Sequence, residues 1–270
     1  MAAEPIIRVS SVSKDFLLPH LRVTTIKSRA LNLFRRSRTL ELQHALRDIT
    51  FDVARGEFLG VVGRNGCGKS TLLKIMAGIY APTTGEVTVQ GSLIPFIELG
   101  VGFNPELTGR ENVYLNGALL GFSKGDVSAM YDDIVTFAEL EDSMDQKLKN
   151  YSSGMQVRIA FSMATRAQGD IVLIDEVLAV GDEAFKAKCF DHFRALKAGG
   201  TTIVFVSHDM AAVRRFCDRA ILIEDSRLVA TGNADDISAR YLQLFEAEPT
   251  SERTVHTAPE AQDRDDTVSE

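Results

Sequence analysis

The chain has 270 residues, of which 45% are hydrophobic and 25% are charged, and its formal net charge is −7. These proportions are ordinary for a globular protein with a sizeable core, and the acidic balance argues against a general nucleic-acid binder, whose surface is basic. No apolar run approaches the ~18–20 residues that span a bilayer, and no signal peptide is visible. We therefore expect another chain to supply any membrane spans.

Short apolar or alternating runs predict the β-strands. They lie at residues 6–9, 49–53, 58–62, 171–174 and 201–206, with a final pair at 220–223 and 228–230. Apolar residues at helical spacing predict helices at 70–77, 156–167 and 184–196, and residues 104–150 carry helical patterns with no convincing strand. Because strands alternate with helices, the sequence predicts an α/β fold whose parallel sheet is covered on both faces.

Two segments depart from this alternation. Residues 20–44 form a basic segment in which four apolar side chains fall near one helical face and five basic ones lie elsewhere: Ile26, Ala30, Leu33 and Phe34 against Lys27, Arg29, Arg35, Arg36 and Arg38. A basic amphipathic helix suits anionic headgroups or a diphosphate lipid, and a charged face packed on the domain is the alternative. Residues 246–270 are dominated by polar residues and proline, which predicts a disordered tail.

The three cysteines, Cys67, Cys189 and Cys217, are odd in number and lack C-x-x-C spacing. This pattern favours neither a disulfide framework nor a zinc site, and it fits a reducing cytoplasm. Cys189 and Cys217 are interpreted as small buried hydrophobes. For Cys67 two interpretations stay open: a small filler, or a redox-sensitive thiol whose pKa is lowered near a helix N-terminus.

The strongest motif is a glycine-rich loop between the predicted strand at 58–62 and the helix that follows it. From Gly63 to Thr71 the chain matches the phosphate-binding pattern G-x-x-x-x-G-K-[ST]. The glycines let backbone N–H groups converge on phosphate oxygens at a helix N-terminus. Lys69 is predicted to contact the β- and γ-phosphates of ATP, and the Ser70 hydroxyl to bind Mg²⁺.

Two other strand ends carry side chains suited to phosphate chemistry. The strand at 171–174 is followed by Asp175 and Glu176. Asp175 is predicted to hold Mg²⁺, and Glu176 is predicted to orient and deprotonate the attacking water. Alone, such a pair is as typical of a strand-end cap, but a preceding phosphate loop favours the catalytic interpretation. His208 follows the strand at 201–206, where an imidazole can contact the γ-phosphate and adjust the water, although a lone histidine there is usually structural.

A variant motif opens the predicted helix before Asp175. Residues 151–155 read Tyr-Ser-Ser-Gly-Met, which resembles the signature loop of ABC ATPases, usually Leu-Ser-Gly-Gly-Gln. Ser152 and Gly154 match the signature serine and second glycine, whereas Ser153 and Met155 depart from the pattern. Hydroxyl and N–H donors at a helix start suit the γ-phosphate, although Ser-Ser-Gly before a helix is by itself more often an N-cap.

Taken in chain order, these motifs resemble those of ABC ATPases from residue 5 to about residue 245. Residues 179–182 resemble the D-loop that links two nucleotide sites, and Phe16 resembles the aromatic residue that stacks on adenine, with core packing as the alternative. The resemblance assigns contacts with the bound ATP to these residues: Phe16, Gly63, Asn65, Gly66, Gly68, Lys69, Ser70, Thr71, Ser152, Gly154 and Asp182. The resemblance assigns the catalytic roles to Glu176, His208 and Lys69.

The fold that this resemblance implies is a P-loop NTPase core of the ABC type. It combines a RecA-like mixed sheet with an antiparallel β subdomain, and it carries a helical subdomain at about 104–168. The ATPase domain is expected to span residues 1–245.

One departure from the family pattern concerns the Q-loop, where ABC proteins usually carry glutamine. Glu98 is the nearest candidate here and is assigned to Mg²⁺, with a plain strand-end residue as the alternative.

Residues 96–117 resemble the ATP-binding subunits of polysaccharide exporters of the O-antigen, teichoic-acid and galactan type. The resemblance implies a homodimer that sandwiches two ATP molecules head to tail beneath two copies of a six-span membrane permease. It implies a glycan on undecaprenyl diphosphate as substrate, and a location at the cytoplasmic face of the membrane. The alternatives are an ABC ATPase that exports a drug or peptide, a soluble ABC protein of translation or DNA repair, and a non-catalytic module.

Overall fold

The computed structural model describes residues 4–19, 40–97, 99–175 and 182–246. Its strands are β1 Ile7–Pro19, β2 Leu40–Val53, β3 Phe58–Gly63, β4 Thr84–Val89, β5 Leu93–Phe96, β6 Ile171–Ile174, β7 Thr202–Val206, β8 Arg219–Glu224 and β9 Arg227–Asn233. Its α-helices are α1 Lys69–Met76, α2 Gly109–Leu119, α3 Lys124–Ala138, α4 Ser153–Ala164, α5 Glu183–Ala198, α6 Met210–Phe216 and α7 Ala234–Glu246. No helix in these ranges is long and apolar enough to cross a membrane.

The larger sheet has the strand order β5-β6-β7-β3-β8-β9. Its first five strands are parallel and β9 runs antiparallel to β8. Alternate residues of the central strands pack into two different apolar clusters, for example Val172 and Phe205 on one face and Leu173 and Val204 on the other. This two-sided burial explains the unbroken apolar runs in the sequence and confirms the predicted parallel sheet.

Different elements cover the two faces of that sheet. Side chains of α4, α5, α6 and α7 pack on one face, and α1 with the smaller antiparallel sheet packs on the other. The smaller sheet has the order β2-β1-β4. The predicted α/β core with an antiparallel β subdomain is therefore confirmed.

β1 and β2 are much longer than the sequence predicted. The two strands pair from Ile7 opposite Val53 out to Pro19 opposite Leu40, and register shifts interrupt the pairing between Val9 and Asp15. Each shift breaks the alternation of side chains between faces, which hid the continuation of the strands. Residues 40–44, which were predicted to belong to the basic insertion, are part of β2; the rest of that segment, 20–39, lies outside the described residues.

The sequence also missed β4, β5, α6 and α7. β4 is mostly exposed, so it lacks the apolar run that marks a buried strand. β5 contains Pro95 and lies at the edge of the larger sheet, where a missing N–H is tolerated. α7 is a short amphipathic helix that extends to Glu246, the residue at which the tail was predicted to begin, and residues 247–270 lie outside the described part.

The helices α2, α3 and α4 enclose an apolar cluster of their own. Two of them begin with capping boxes, in which Thr108 pairs with Glu111 and Ser123 pairs with Asp126. A capping box satisfies two backbone N–H groups that a helix start otherwise leaves unpaired. Residues 104–150 thus contain α2, α3 and two short 3₁₀ turns joined by loops, as the helical pattern in the sequence indicated, and with α4 they form a helical subdomain.

Asn112 is fully buried and organises the loop that precedes α2. Its Nδ2 donates to the carbonyls of Asn104, Leu107 and Thr108 at 2.9–3.2 Å, and its Oδ1 accepts from the N–H of Asn104 at 2.7 Å. Replacing a buried amide with this many backbone partners is costly. Each backbone N–H or carbonyl that it bonds would lose its hydrogen-bond partner in a place that water does not reach.

We expect Asn112→Leu to lower the free energy of unfolding by about 3 kcal/mol, since it leaves several part-buried backbone groups unsatisfied. Urea unfolding followed by circular dichroism measures the loss. The exposed helical residue Thr136 provides the control, because Thr136→Ala should change stability by no more than about 0.5 kcal/mol. Equal effects of the two substitutions would contradict the role given to Asn112.

Candidate nucleotide-binding site

Three adjacent parallel strands end at the same edge of the larger sheet. β3 runs into the glycine-rich loop at Gly63, β6 is followed by Asp175, and β7 is followed by Ser207 and His208. Ligands of open α/β sheets bind at this carboxyl edge. The Ser70 hydroxyl lies 3.3 Å from Oδ1 of Asp175, so the structure brings together the two side chains that were predicted to hold Mg²⁺.

The glycine-rich loop depends on backbone conformations that glycine adopts most readily. Gly66 has φ +83° and Gly68 has φ +106°, and a Cβ on Gly68 would lie 2.3 Å from the carbonyl oxygen of Ala45. Gly68 is the N-cap of α1, and neither a side-chain cap nor an acidic residue of the first turn takes up the N–H groups of this helix start. These donors suit an anionic ligand.

Lys69 lies beneath the loop with only 6% of its surface exposed. Its ammonium donates to the carbonyls of Gly63 and Arg64 at 2.8 and 2.9 Å. These hydrogen bonds hold the loop backbone close to the positive charge of the ammonium. A phosphate that enters the loop would therefore meet the backbone N–H groups and the ammonium together.

A cleft of about 340 Å³ opens in front of the loop, within the ~300–1,000 Å³ range of small-molecule sites. The following residues line it: Phe16, Gln43, Ala45, Asn65, Gly66, Gly68, Lys69, Ser70 and Thr71. The structure therefore gathers Phe16 and most of the predicted loop residues into one cavity. Gln43 and Ala45 were missed because they reach the cleft only through the pairing of β2 with β1, where Gln43 lies opposite Phe16.

Phe16 is held by two neighbours that the sequence did not reveal. Its ring packs edge-on against Tyr80, with ring centroids 5.6 Å apart, and the Lys14 ammonium lies 5.1 Å from its centroid. Phe16 is half-buried in the lining of the cleft rather than part of the apolar core. Its place beside the phosphate loop favours the base-stacking interpretation over core packing.

Ser152 and Gly154 do not line this cleft. Ser152 is the exposed N-cap of α4, and its Oγ accepts a hydrogen bond of 3.2 Å from the N–H of Met155. Gly154 is half-exposed, and a Cβ there would meet only the Ser152 hydroxyl at 3.8 Å. Packing within the chain therefore does not explain the glycine at this position.

Asp182 is the N-cap of α5 and lies outside the cleft. It accepts from the N–H of Phe185 at 2.8 Å and forms an ion pair with Arg158 of α4. The hydrogen bond from Phe185 is the main reason why the pKa of Asp182 lies below its usual value. His208 is exposed just beyond β7. Glu98, Glu176 and residues 179–181 of the predicted D-loop lie outside the described residues.

Comparison of the sequence with known proteins identifies its family. A model of the ABC transporter family matches residues 46–179. An O-antigen export system ATP-binding protein of Klebsiella pneumoniae is 45% identical over 248 residues, which cover 90% of this chain and 99% of that protein. The chain belongs to the ABC transporter ATP-binding proteins. A teichoic acids export ATP-binding protein of Listeria monocytogenes is 38% identical over 230 residues, covering 85% of this ABC protein and 68% of the relative.

Solved structures support the same fold. An ATP-binding cassette solved as a dimer with ADP and phosphate has a TM-score of 0.68, at 23% identity, and the match covers 84% of this ABC protein and 98% of that chain. An ATP-binding subunit of an ABC transporter has a TM-score of 0.67, also at 23% identity, with 87% and 93% covered. At this identity the likeness concerns the fold.

Cys67 of this ABC protein is buried within the phosphate loop, with 7% of its surface exposed. Burial raises the pKa of its thiol, and this effect outweighs the nearby positive charge of Lys69. A Cβ on Gly63 would lie 2.6 Å from its sulfur, so the thiol fills the space beneath that glycine. A protonated, covered thiol is a poor nucleophile, which favours the small-filler interpretation over a redox-sensitive one.

Replacing the two loop glycines separately tests how the loop is built. Gly68→Ala should lower the free energy of unfolding of the nucleotide-free protein by about 3 kcal/mol, because it adds both conformational strain and a clash with Ala45. Gly66→Ala is the matched control: its φ is also positive but nothing lies within 4 Å of the added Cβ, so a loss of about 1 kcal/mol is expected. Denaturant unfolding distinguishes the two, and equal losses would contradict the close approach of β2 to the loop.

Proposed function

We propose that this ABC protein is the ATP-hydrolysing subunit of an exporter that moves a polysaccharide across the cytoplasmic membrane. The observation that carries the proposal is the 45% identity to an O-antigen export ATP-binding protein along nearly the whole of both chains. A teichoic-acid export protein matches over 85% of the chain, so the likeness extends across exporters of two different glycans. Neither match favours a drug or peptide exporter or a soluble ABC protein.

The substrate that we propose is a glycan carried on undecaprenyl diphosphate, of the O-antigen, teichoic-acid or galactan type. The partner that we propose is a membrane permease of six spans, present in two copies. No described helix of this chain can span a bilayer, which fits a division of labour between an ATP-binding subunit and a separate membrane subunit. On this proposal the ATPase works at the cytoplasmic face, where ATP is available.

Two copies of the chain are proposed to enclose two ATP molecules head to tail. Each cleft would supply Lys69, Ser70 and Asp175, and the facing copy would supply Ser152 and Gly154. The support is geometric: Ser152 and Gly154 present donors at the start of α4, yet they do not line their own cleft. A monomer would then have an incomplete site and little activity.

In this proposal, hydrolysis depends on charged and polar groups that are already in place around the phosphates before the reaction. Glu176 is proposed to orient and deprotonate the attacking water, and His208 to contact the γ-phosphate. Lys69 and the N–H groups at the start of α1 would stabilise the charge that spreads over the phosphate oxygens. Mg²⁺ would be held by Ser70 and Asp175, with Glu98 as a third candidate, and when bound it would neutralise part of that charge. The proximity of the Ser70 and Asp175 oxygens supports this assignment.

Coupling to export is proposed to be conformational. ATP binding would close the two copies around the nucleotide, and hydrolysis would let them separate. A closed dimer is favoured because ATP contacts both copies only in that state, so differential binding shifts the equilibrium. This closing and opening of the two copies would be transmitted to the permease through the surface of the ATPase that contacts the permease.

Glu176→Gln should trap an ATP-bound dimer, because the variant retains the phosphate contacts but lacks the base. Size-exclusion chromatography with ATP should show the dimer, and phosphate release should fall at least about 100-fold, the lower range for general-base catalysis. Glu183→Gln is the control, since Glu183 is an exposed residue of the first turn of α5 and its loss should leave turnover intact. Normal turnover by Glu176→Gln would refute the assigned base.

Depletion of the protein in its host should cause a lipid-linked glycan to accumulate on the inner side of the membrane. Mass analysis of membrane lipids identifies the polymer, and re-expression of the native chain, but not of Lys69→Ala, should clear it. Unchanged glycans after depletion would leave the ATPase assignment intact and reject the polysaccharide as substrate.

A further inference from the structure

Residues 96–117, which carry the exporter resemblance, meet the variant signature segment at residues 151–155 in the helical subdomain. Gly109, the first residue of α2, lies directly against the phenol of Tyr151, the first residue of the variant signature. A Cβ on Gly109 would lie 2.1 Å from the Tyr151 hydroxyl, 3.0 Å from Cζ and 3.3 Å from Cα of Met144. The tyrosine in this position therefore requires a glycine at 109.

The Tyr151 ring has little room to move away. Only 6% of the residue is exposed, its hydroxyl donates to the carbonyl of Ser143 at 2.7 Å, and its backbone N–H donates to the carbonyl of Leu148 at 3.0 Å. Burial raises the pKa of Tyr151 to about 12, so the phenol keeps its proton and remains a donor at working pH. The residue that follows is Ser152, the N-cap of α4.

The backbone joins the same two regions. The N–H of Gly109 donates to the carbonyl of Gln146 at 3.0 Å, and the N–H of Leu148 donates to the carbonyl of Leu107 at 2.9 Å. Glu106 adds exposed ion pairs with Lys147 and Lys149, which contribute little by themselves. The loop before α2, which Asn112 holds rigid, is thus connected to the segment that ends at Tyr151.

We infer that Tyr151 is a positioning residue that sets the direction of the signature loop through its contact with Gly109. This inference rests on the proposed function, in which Ser152 and Gly154 contact the nucleotide held by the facing copy. A phenol locked between α2 and the 3₁₀ turn at Glu141–Ser143 fixes where the next residues point. Leucine, the usual residue at this position in the ABC signature, has no hydroxyl to reach Ser143 or to require a glycine at 109.

A double-mutant cycle tests the inference. Gly109→Ala in the native chain should lower kcat about tenfold, because it displaces the phenol and hence Ser152, while KM for ATP and nucleotide binding to the monomer stay unchanged. ATP-driven dimerisation in the Glu176→Gln background should weaken by a similar factor. Tyr151→Leu should lower kcat about threefold by removing the bond to Ser143. In that background Gly109→Ala should cost less than about twofold, because the clashing atoms are gone.

Gly125→Ala is the matched control, since Gly125 lies in the first turn of α3 and an added Cβ there would have only an ordinary 3.6 Å contact. It should leave kcat and dimerisation unchanged. If Gly109→Ala does not fold, Tyr151→Phe carries the test: the lost hydroxyl should lower kcat about threefold at constant KM.

Three outcomes would overturn the inference. Equal costs of Gly109→Ala in the Tyr and Leu backgrounds would remove the coupling on which it depends. Parallel losses of thermal stability, monomer nucleotide binding and kcat would indicate a merely structural role. An unaltered kcat in Tyr151→Phe, where that variant carries the test, would show that the hydroxyl positions nothing. A native chain that neither hydrolyses ATP nor dimerises as Glu176→Gln would instead reject the proposed function, and the inference with it.

Discussion

Burial of the larger sheet on both faces is the constraint on which the rest of the molecule depends. Because β3, β6 and β7 are apolar along their length and parallel, they lie side by side with all their carboxyl ends at one edge. Apart from Thr202 at the start of β7, these three strands carry no polar side chains, and polar residues follow where the strands end. The same burial that stabilises the core therefore assembles Ser70, Asp175 and His208 from positions far apart in the chain.

The antiparallel sheet completes what the larger sheet begins. β1 supplies Phe16 and β2 supplies Gln43 and Ala45, so that the pairing of these two strands closes one side of the cleft. The close approach of Ala45 to Gly68 fixes the distance between that wall and the phosphate loop. On the proposed function, adenine and phosphate would be recognised by two separate sheets, and a contact that only glycine permits sets the relative position of those sheets.

The sequence predicted well whatever depends on neighbouring residues and poorly whatever depends on distant pairing. The phosphate loop, the buried strands and the start of α4 follow from local motifs and periodicity, and the structure has them in the expected order. The sequence predicted β1 and β2 to be too short, because β-bulges break the two-residue alternation of side chains along these strands. Tyr80, Gln43 and the contact of Gly109 with Tyr151 were missed because each depends on a partner that only the folded chain brings close.

The N-cap at Ser152 has a consequence for how substitutions at this position behave. Its oxygen accepts from the Met155 N–H with a lone pair, which leaves the hydroxyl proton free to donate outward. Aspartate would cap α4 as well as serine does, since both side chains offer an acceptor to a helix start. It would, however, present a negative charge where a phosphate is expected. If Ser152 contacts the phosphate as proposed, a library of variants at residue 152 that is sorted by folding alone would retain members that have lost their activity, because helix capping and phosphate recognition would use different parts of one hydroxyl group.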